Sequence, residues 1–155
     1  MQMQEQSSTS WRNVELSPRL IEKLNTKLKW NKYIPHSPTD RQIAALLCND
    51  WQELMYGGAG GGGKTDLLLM LALQYVDIPG YAALLLMRTT QDLKLPGALI
   101  DRSQEWLGGT DAKWKDQDKQ WVFPSGATLN FGYLEHENDK YRYKSSEFQF
   151  IGFDE

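Results

Sequence analysis

The sequence predicts an α/β fold with a parallel-sheet core, and three observations predict it. The run Gly58-Ala59-Gly60-Gly61-Gly62-Gly63-Lys64-Thr65 matches the phosphate-binding pattern G-x-x-x-x-G-K-[ST] without a mismatch. Residues 52–56 (Gln-Glu-Leu-Met-Tyr) suit a short strand and residues 66–73 favour a helix, the strand–loop–helix order the pattern requires. Residues 81–87 (Tyr-Ala-Ala-Leu-Leu-Leu-Met) form a continuous apolar run. Such runs mark strands buried on both faces of a parallel sheet.

The loop's chemistry follows from its residues. Glycine admits the positive φ values that turn backbone N–H groups inward around a polyphosphate. The helix that follows adds the partial positive charge of its N-terminus. Lys64 is placed to reach the β- and γ-phosphates, and the Thr65 hydroxyl to bind Mg²⁺. A flexible glycine linker is the competing reading, but linkers of that kind lie between polar segments. Here the flanks are apolar.

The remaining elements take their places in order. Residues 1–10 are a polar tail expected to be disordered, and residues 11–38 form an N-terminal helical and extended segment. Within it, residues 17–28 place Leu20, Ile21, Leu24 and Leu28 on one helical stripe, with Ser17 as N-cap and Pro18 at the first position. Pro35 and Pro38 keep the next stretch extended. Residues 39–155 are expected to form a partial P-loop ATPase domain. Thr39-Asp40-Arg41-Gln42 fits a capping box (T-x-x-Q) opening a helix over 40–48. The phosphate-loop helix is expected to reach Asp77 and stop at Pro79-Gly80. A helix broken at Pro96-Gly97 spans 90–107, and residues 119–133 read as a β-hairpin around Pro124-Ser125-Gly126. Residues 136–144 are charged loop, and 148–153 form a last apolar strand leading into Asp154-Glu155.

That last strand supplies the second half of a nucleotide site. Asp154 is placed to hold Mg²⁺, and Glu155 to orient or deprotonate the attacking water. Such ligands gather at the C-terminal edge of parallel strands, where the phosphate loop also lies. Gln42 can pair with adenine through one donor and one acceptor, or cap Thr39; its spacing allows both. Arg88 ends the 81–87 strand and faces either phosphate or water. Arg142 and Lys144 precede the last strand as candidate charge-stabilising groups for a neighbouring site, or as a solvated basic cluster. His36 and His136 read as loop residues. Asp77-Ile78-Pro79-Gly80 matches the D-x-x-G of GTPases but lacks their preceding strand, and no N-K-x-D occurs. The fold expected is therefore a P-loop NTPase core of the RecA/ASCE-like type with an inserted β-hairpin, truncated after the Walker B strand.

Bulk properties narrow the class. The chain has 155 residues, suited to one domain, with 41% hydrophobic and 24% charged residues. Its apolar runs are too short to span a bilayer, so no membrane partner is expected. The N-terminus carries neither a basic nor an apolar signal region. Cys48 is the lone cysteine, excluding an internal disulfide and a zinc-type cluster. The chain therefore reads as intracellular and reduced. The net charge of −3 gives no global electrostatic case for nucleic acid, and the lysines at 23, 27, 29 and 32 suit a solvated helix face as well as a basic patch.

Five segments together resemble the large subunit of tailed-phage terminases. Residues 33–42 (Tyr-Ile-Pro-His-Ser-Pro-Thr-Asp-Arg-Gln) look like that family's adenine-motif entry, and residues 56–66 like its glycine-rich Walker A with a trailing aspartate. Residues 86–93 resemble the strand-and-arginine segment that follows. Residues 123–127 and 131–135 look like the central hairpin, and residues 143–155 like the Walker B approach. The resemblance covers residues 30–155 in the family's order.

It implies a DNA-packaging motor ATPase that uses ATP and Mg²⁺. Family members carry a further C-terminal nuclease domain, assemble as a homo-oligomeric ring on the portal protein, work with a small terminase subunit, and drive double-stranded viral DNA into the prohead in the bacterial host cytoplasm. It also implies roles by matched position: Lys64 and Thr65 for phosphate and Mg²⁺, Asp154 for the metal, Glu155 as catalytic carboxylate, and Gln42 for adenine. Arg142 is the first choice for an arginine acting across subunits, and Arg88 a sensing candidate. The sequence stops at Glu155, so weak or no hydrolysis and no DNA cleavage are expected of this chain alone. Two other readings share the motifs: a RecA-like helicase-type ATPase, and a non-hydrolysing nucleotide-binding oligomerisation module.

Overall fold

The computed structural model describes residues 17–19, 22, 31–48, 52–58 and 60–154. Pro18, Arg19 and Glu22 are helical and exposed. The rest of the helix expected over 17–28, and the 1–10 tail, lie outside the described residues.

The described chain is a mixed α/β structure. Its elements are α1 (Asp40–Leu46), α2 (Lys64–Leu73), β1 (Ala82–Met87), α3 (Leu99–Leu107), β2 (Lys113–Lys115), β3 (Gln120–Val122), β4 (Thr128–Tyr133) and β5 (Phe150–Phe153). The strands form one five-stranded sheet in the order β2-β3-β4-β1-β5. β1 pairs in parallel with β4 on one side and β5 on the other, while β3 runs antiparallel to both β2 and β4. The sheet is therefore mixed. The hairpin is not an insertion beside a parallel core: its second strand, β4, is the neighbour of β1.

The apolar run expected to be a buried parallel strand is one. Ala83, Leu84, Leu85 and Leu86 are all buried. α2 packs on β1 and β5 and against α3. Its sequence KTDLLLMLAL buries Leu67, Leu69, Met70, Ala72 and Leu73, which leaves little room for a polar face. α3 is amphipathic instead, burying Leu99, Ser103, Trp106 and Leu107 at i, i+4, i+7 and i+8. Ser103 is tolerated in that stripe because its hydroxyl donates to Ile100 O (2.7 Å) and accepts from Trp121 Nε1 (3.0 Å). Buried polar atoms need such partners.

Several expected boundaries move. Residues 52–56 form no strand, and Leu54 and Met55 are exposed, Met55 at 96%. Among the described residues no strand pairs with them, and they line a groove of about 1390 Å³ together with residues of β5. α2 ends at Leu73 rather than Asp77, where Asn31 Nδ2 donates to Leu73 O (3.0 Å) and turns carry the chain to Gly80. α1 ends at Leu46 rather than Cys48. The 90–107 region breaks as expected, into a 3₁₀ turn over Asp92–Lys94 and α3. Residues 137–143, read as loop, are 3₁₀ turns, and β2 was not anticipated. No helix among the described residues is long and apolar enough to cross a membrane.

Candidate functional site

The glycine loop delivers the chain into α2 through two left-handed residues. Gly61 (φ +77°) and Gly63 (φ +73°) occupy a conformation that L side chains rarely adopt. Gly63 is also the N-cap of α2, so Lys64 is the first helical residue. Among the first N–H groups of any helix, those without an intrahelical acceptor are open to another one. Lys64 Nζ donates to Gly58 O at 3.3 Å, folding its side chain over the loop's opening residue. Gly58 and Gly60 are exposed, with open space where a Cβ would stand. Ala59 lies outside the described residues.

The second half of the site arrives from 89 residues away. β5 pairs in register with β1, Leu86 opposite Phe153, and Asp154 N donates to Leu86 O (2.9 Å) as the chain leaves the strand. The Thr65 hydroxyl then donates to Asp154 Oδ2 at 3.0 Å, linking residues 65 and 154. Gly152 permits the approach, because a Cβ there would meet Leu68 Cδ1 of α2 at 2.6 Å. Thr65 and Asp154, both expected at a metal, are thus brought together. Glu155 lies outside the described residues.

Gln42 sits where it meets the loop, but its amide is committed. It is 3% exposed on α1. Its Oε1 accepts from Thr39 N (2.8 Å), completing the expected capping box, while Nε2 donates to Gly63 O (2.9 Å). The two readings of Gln42 offered by its spacing meet a third, a bond to the glycine loop.

The two arginines stand elsewhere. Arg88 is exposed one residue beyond β1. Arg142 donates to the Tyr133 hydroxyl, lies over the Tyr133 ring at 4.6 Å and approaches Asp139 Oδ1 at 3.6 Å. The bond to Tyr133 holds its guanidinium pKa further up. Asp139 in turn accepts from His136 N (2.8 Å) and Glu135 N (3.0 Å). The His136 bond foremost holds the Asp139 carboxyl below the ordinary carboxylate range. Tyr143 Oη meets Tyr133 N at 3.2 Å, and burial pushes its phenol up. Arg142 is thus clasped to the C-terminal end of β4.

One cluster beside the loop escaped the sequence reading. Asp66, directly after Thr65, lies 3.3 Å from His36 Nε2 and 3.3 Å from Arg102 Nε. The His36 ring stands edge-on to Trp106 at 5.2 Å. This ties the segment before α1, the start of α2 and α3 together under the loop. The only prior signal was the aspartate trailing the glycine motif. No family model, curated protein or solved structure matches the chain.

Proposed function

We propose that this chain is the ATP-binding portion of a P-loop ATPase, and that the ATPase is a DNA-packaging motor of the terminase large-subunit kind. The observation that carries the first statement is the Thr65–Asp154 hydrogen bond of 3.0 Å, which joins a glycine loop to a carboxylate at the C-terminal end of a parallel strand. A linker that matched by chance has no reason to meet an acidic residue 89 positions later.

The donor set suits Mg²⁺. A hydroxyl and a carboxylate are hard oxygen ligands, and Mg²⁺ takes one or two carboxylates while keeping several waters. Among the described residues no three His, Cys, Asp or Glu side chains gather, and Mg²⁺ needs no such cluster. When bound, the ion neutralises charge on β- and γ-phosphate oxygens. Lys64 exchanges Gly58 O for those oxygens, and the first N–H groups of α2 face the phosphate chain. Glu155 takes the proton from the water whose oxygen attacks the γ-phosphorus, as the β–γ bridging oxygen leaves with the bonding electrons. Arg88 stands as a phosphate sensor. Arg142 serves a neighbouring subunit's site only after leaving Tyr133.

The order of the five terminase-like segments supports the motor reading. With it come duplex viral DNA, a portal protein, a small subunit and a ring of copies as partners, in the host cytoplasm. A titration with a fluorescent ATP analogue and Mg²⁺ tests the site: saturable binding is expected, and Lys64→Ala should weaken it more than tenfold. Equal affinity in the variant would sink the proposal. Stimulation of turnover by duplex DNA, in a chain that includes any following domain, tests the motor reading.

A further inference from the structure

Every polar atom of the Gln42 side chain faces a backbone group of the protein. Oε1 accepts from the Thr39 N–H at 2.8 Å and Nε2 donates a hydrogen bond to Gly63 O at 2.9 Å. The reverse assignment of the amide would set acceptor against acceptor and donor against donor, so the bonds themselves fix its orientation. The residue is 3% exposed. The amide's second N–H and second lone pair are buried with it, so a base edge could be read through this group only if Gln42 swung outward and gave up both bonds.

The bond to Gly63 has a defined mechanical effect. The peptide unit is planar, with its C=O and N–H pointing in opposite directions. Fixing the Gly63 carbonyl therefore fixes the Lys64 N–H. Gly63 is glycine at φ +73°, free of a Cβ that would otherwise meet Nε2 at 2.8 Å. Without an outside tether, a left-handed glycine explores many conformations. Gly63 O also accepts from Leu67 N (3.0 Å), so the first turn of α2 is held from within and from α1 at one oxygen.

We infer that Gln42 is a positioning residue for the phosphate loop and does not read the base. It acts through the Gly63–Lys64 peptide to aim the first N–H of α2 at the phosphate chain, and the site's affinity resides in the triphosphate rather than in adenine. This rests on the nucleotide-binding reading above.

The test compares Mg²⁺ complexes of ATP, GTP and inorganic tripolyphosphate on the wild-type chain, Gln42→Ala and Gln42→Glu. The glutamate keeps an acceptor for the Thr39 N–H while removing the amide donor to Gly63 O, so it spares the cap of α1. Far-UV circular dichroism checks that each variant folds. All three ligands are expected to weaken by a common factor, roughly fivefold to tenfold, with the ATP:GTP ratio unchanged. A loss confined to ATP, with tripolyphosphate binding intact, overturns the inference and restores base reading. No loss for any ligand also overturns it. A second readout needs no ligand: the Leu67 amide, which donates to the same Gly63 O, should exchange with deuterium faster in Gln42→Glu, and unchanged exchange would refute the positioning role. If the wild-type chain binds none of the three ligands, the nucleotide reading fails, while the exchange measurement still decides what Gln42 does to the loop.

Discussion

The two flanks of the sheet are built differently. On the β2–β3 side, Trp121 is 2% exposed, its ring centroid lies 5.3 Å from that of Trp114, and its indole N–H is bonded to Ser103 of α3. Trp114 also stacks near Phe131 of β4 at 5.9 Å. On the β5 side, Ile151 and Phe153 are 49% and 67% exposed, and a groove is lined by the strand and by residues 52–56. The closed flank carries no candidate site residue. The open flank carries Asp154 and borders Lys64. The candidate site is therefore held on the more exposed flank of the sheet, fastened by directional bonds such as Thr65–Asp154.

If that contrast is right, substitutions should fall into a graded series. The largest effect is expected from Trp121→Ala, about 3–5 kcal/mol of stability, read from urea denaturation. A loss under about 1 kcal/mol would show that the aromatic flank does not hold the sheet. Gly152→Val should cost about 1–3 kcal/mol by forcing Leu68 and Leu85 aside, and should weaken nucleotide binding by moving β5 from α2. Thr65→Val removes one part-buried hydrogen bond, for about 0.5–1.5 kcal/mol. Its larger consequence should be loss of the Mg²⁺ dependence of ATP binding. Unchanged Mg²⁺ dependence would detach the two halves of the site from each other.

A pH series probes the clasp at the C-terminal end of β4. The folded Asp139 carboxyl titrates below its unfolded value because the His136 N–H, then the Glu135 N–H, stabilise its charge. Its contribution is therefore complete above about pH 4, the unfolded value, and is lost as pH falls through the folded value. Asp139→Asn should differ from wild type most above about pH 4 and converge with it in stronger acid. Thermal denaturation between acid and neutral pH tests this; a constant difference throughout would remove the charge from the account. The smallest effect is expected from Phe153→Ser, within about 0.5 kcal/mol. A large loss there would show the open flank to be packed after all.

What was legible in the sequence depended on how local its cause is. The T-x-x-Q cap, the break at Pro96-Gly97 and the all-apolar β1 are each set by a few neighbouring residues, and the structure has all three. Residues 52–56 have strand-like composition, but a strand exists only through a partner, and none pairs with them among the described residues. The 113–115 strand escaped notice because Lys-Trp-Lys pairs mainly through Trp114 opposite Trp121, a cross-strand contact absent from local pattern. In the site, the loop and Asp154 could be named from motifs, and their contact is observed. Gln42's bond to Gly63 could not, since it joins residues 21 apart through a backbone carbonyl. The same holds for Asp66 with His36 and Arg102, and for Arg142, whose basic character was visible but whose hold on Tyr133 was not.

The register of β5 also sets an order of events during synthesis. β1 pairs with β4 through residues 46 positions later, and with β5 through residues 67 positions later. Parallel pairings of such span form slowly, because the intervening chain must be ordered before the contacts reward it. A ribosome releases the glycine loop and α2 long before Asp154 emerges. Until it does, α2 and the β1–β4 pair can assemble, but Thr65 lacks its partner across the strand ends. On the proposed nucleotide reading, Mg²⁺-dependent triphosphate capture would then report that β5 has docked beside β1.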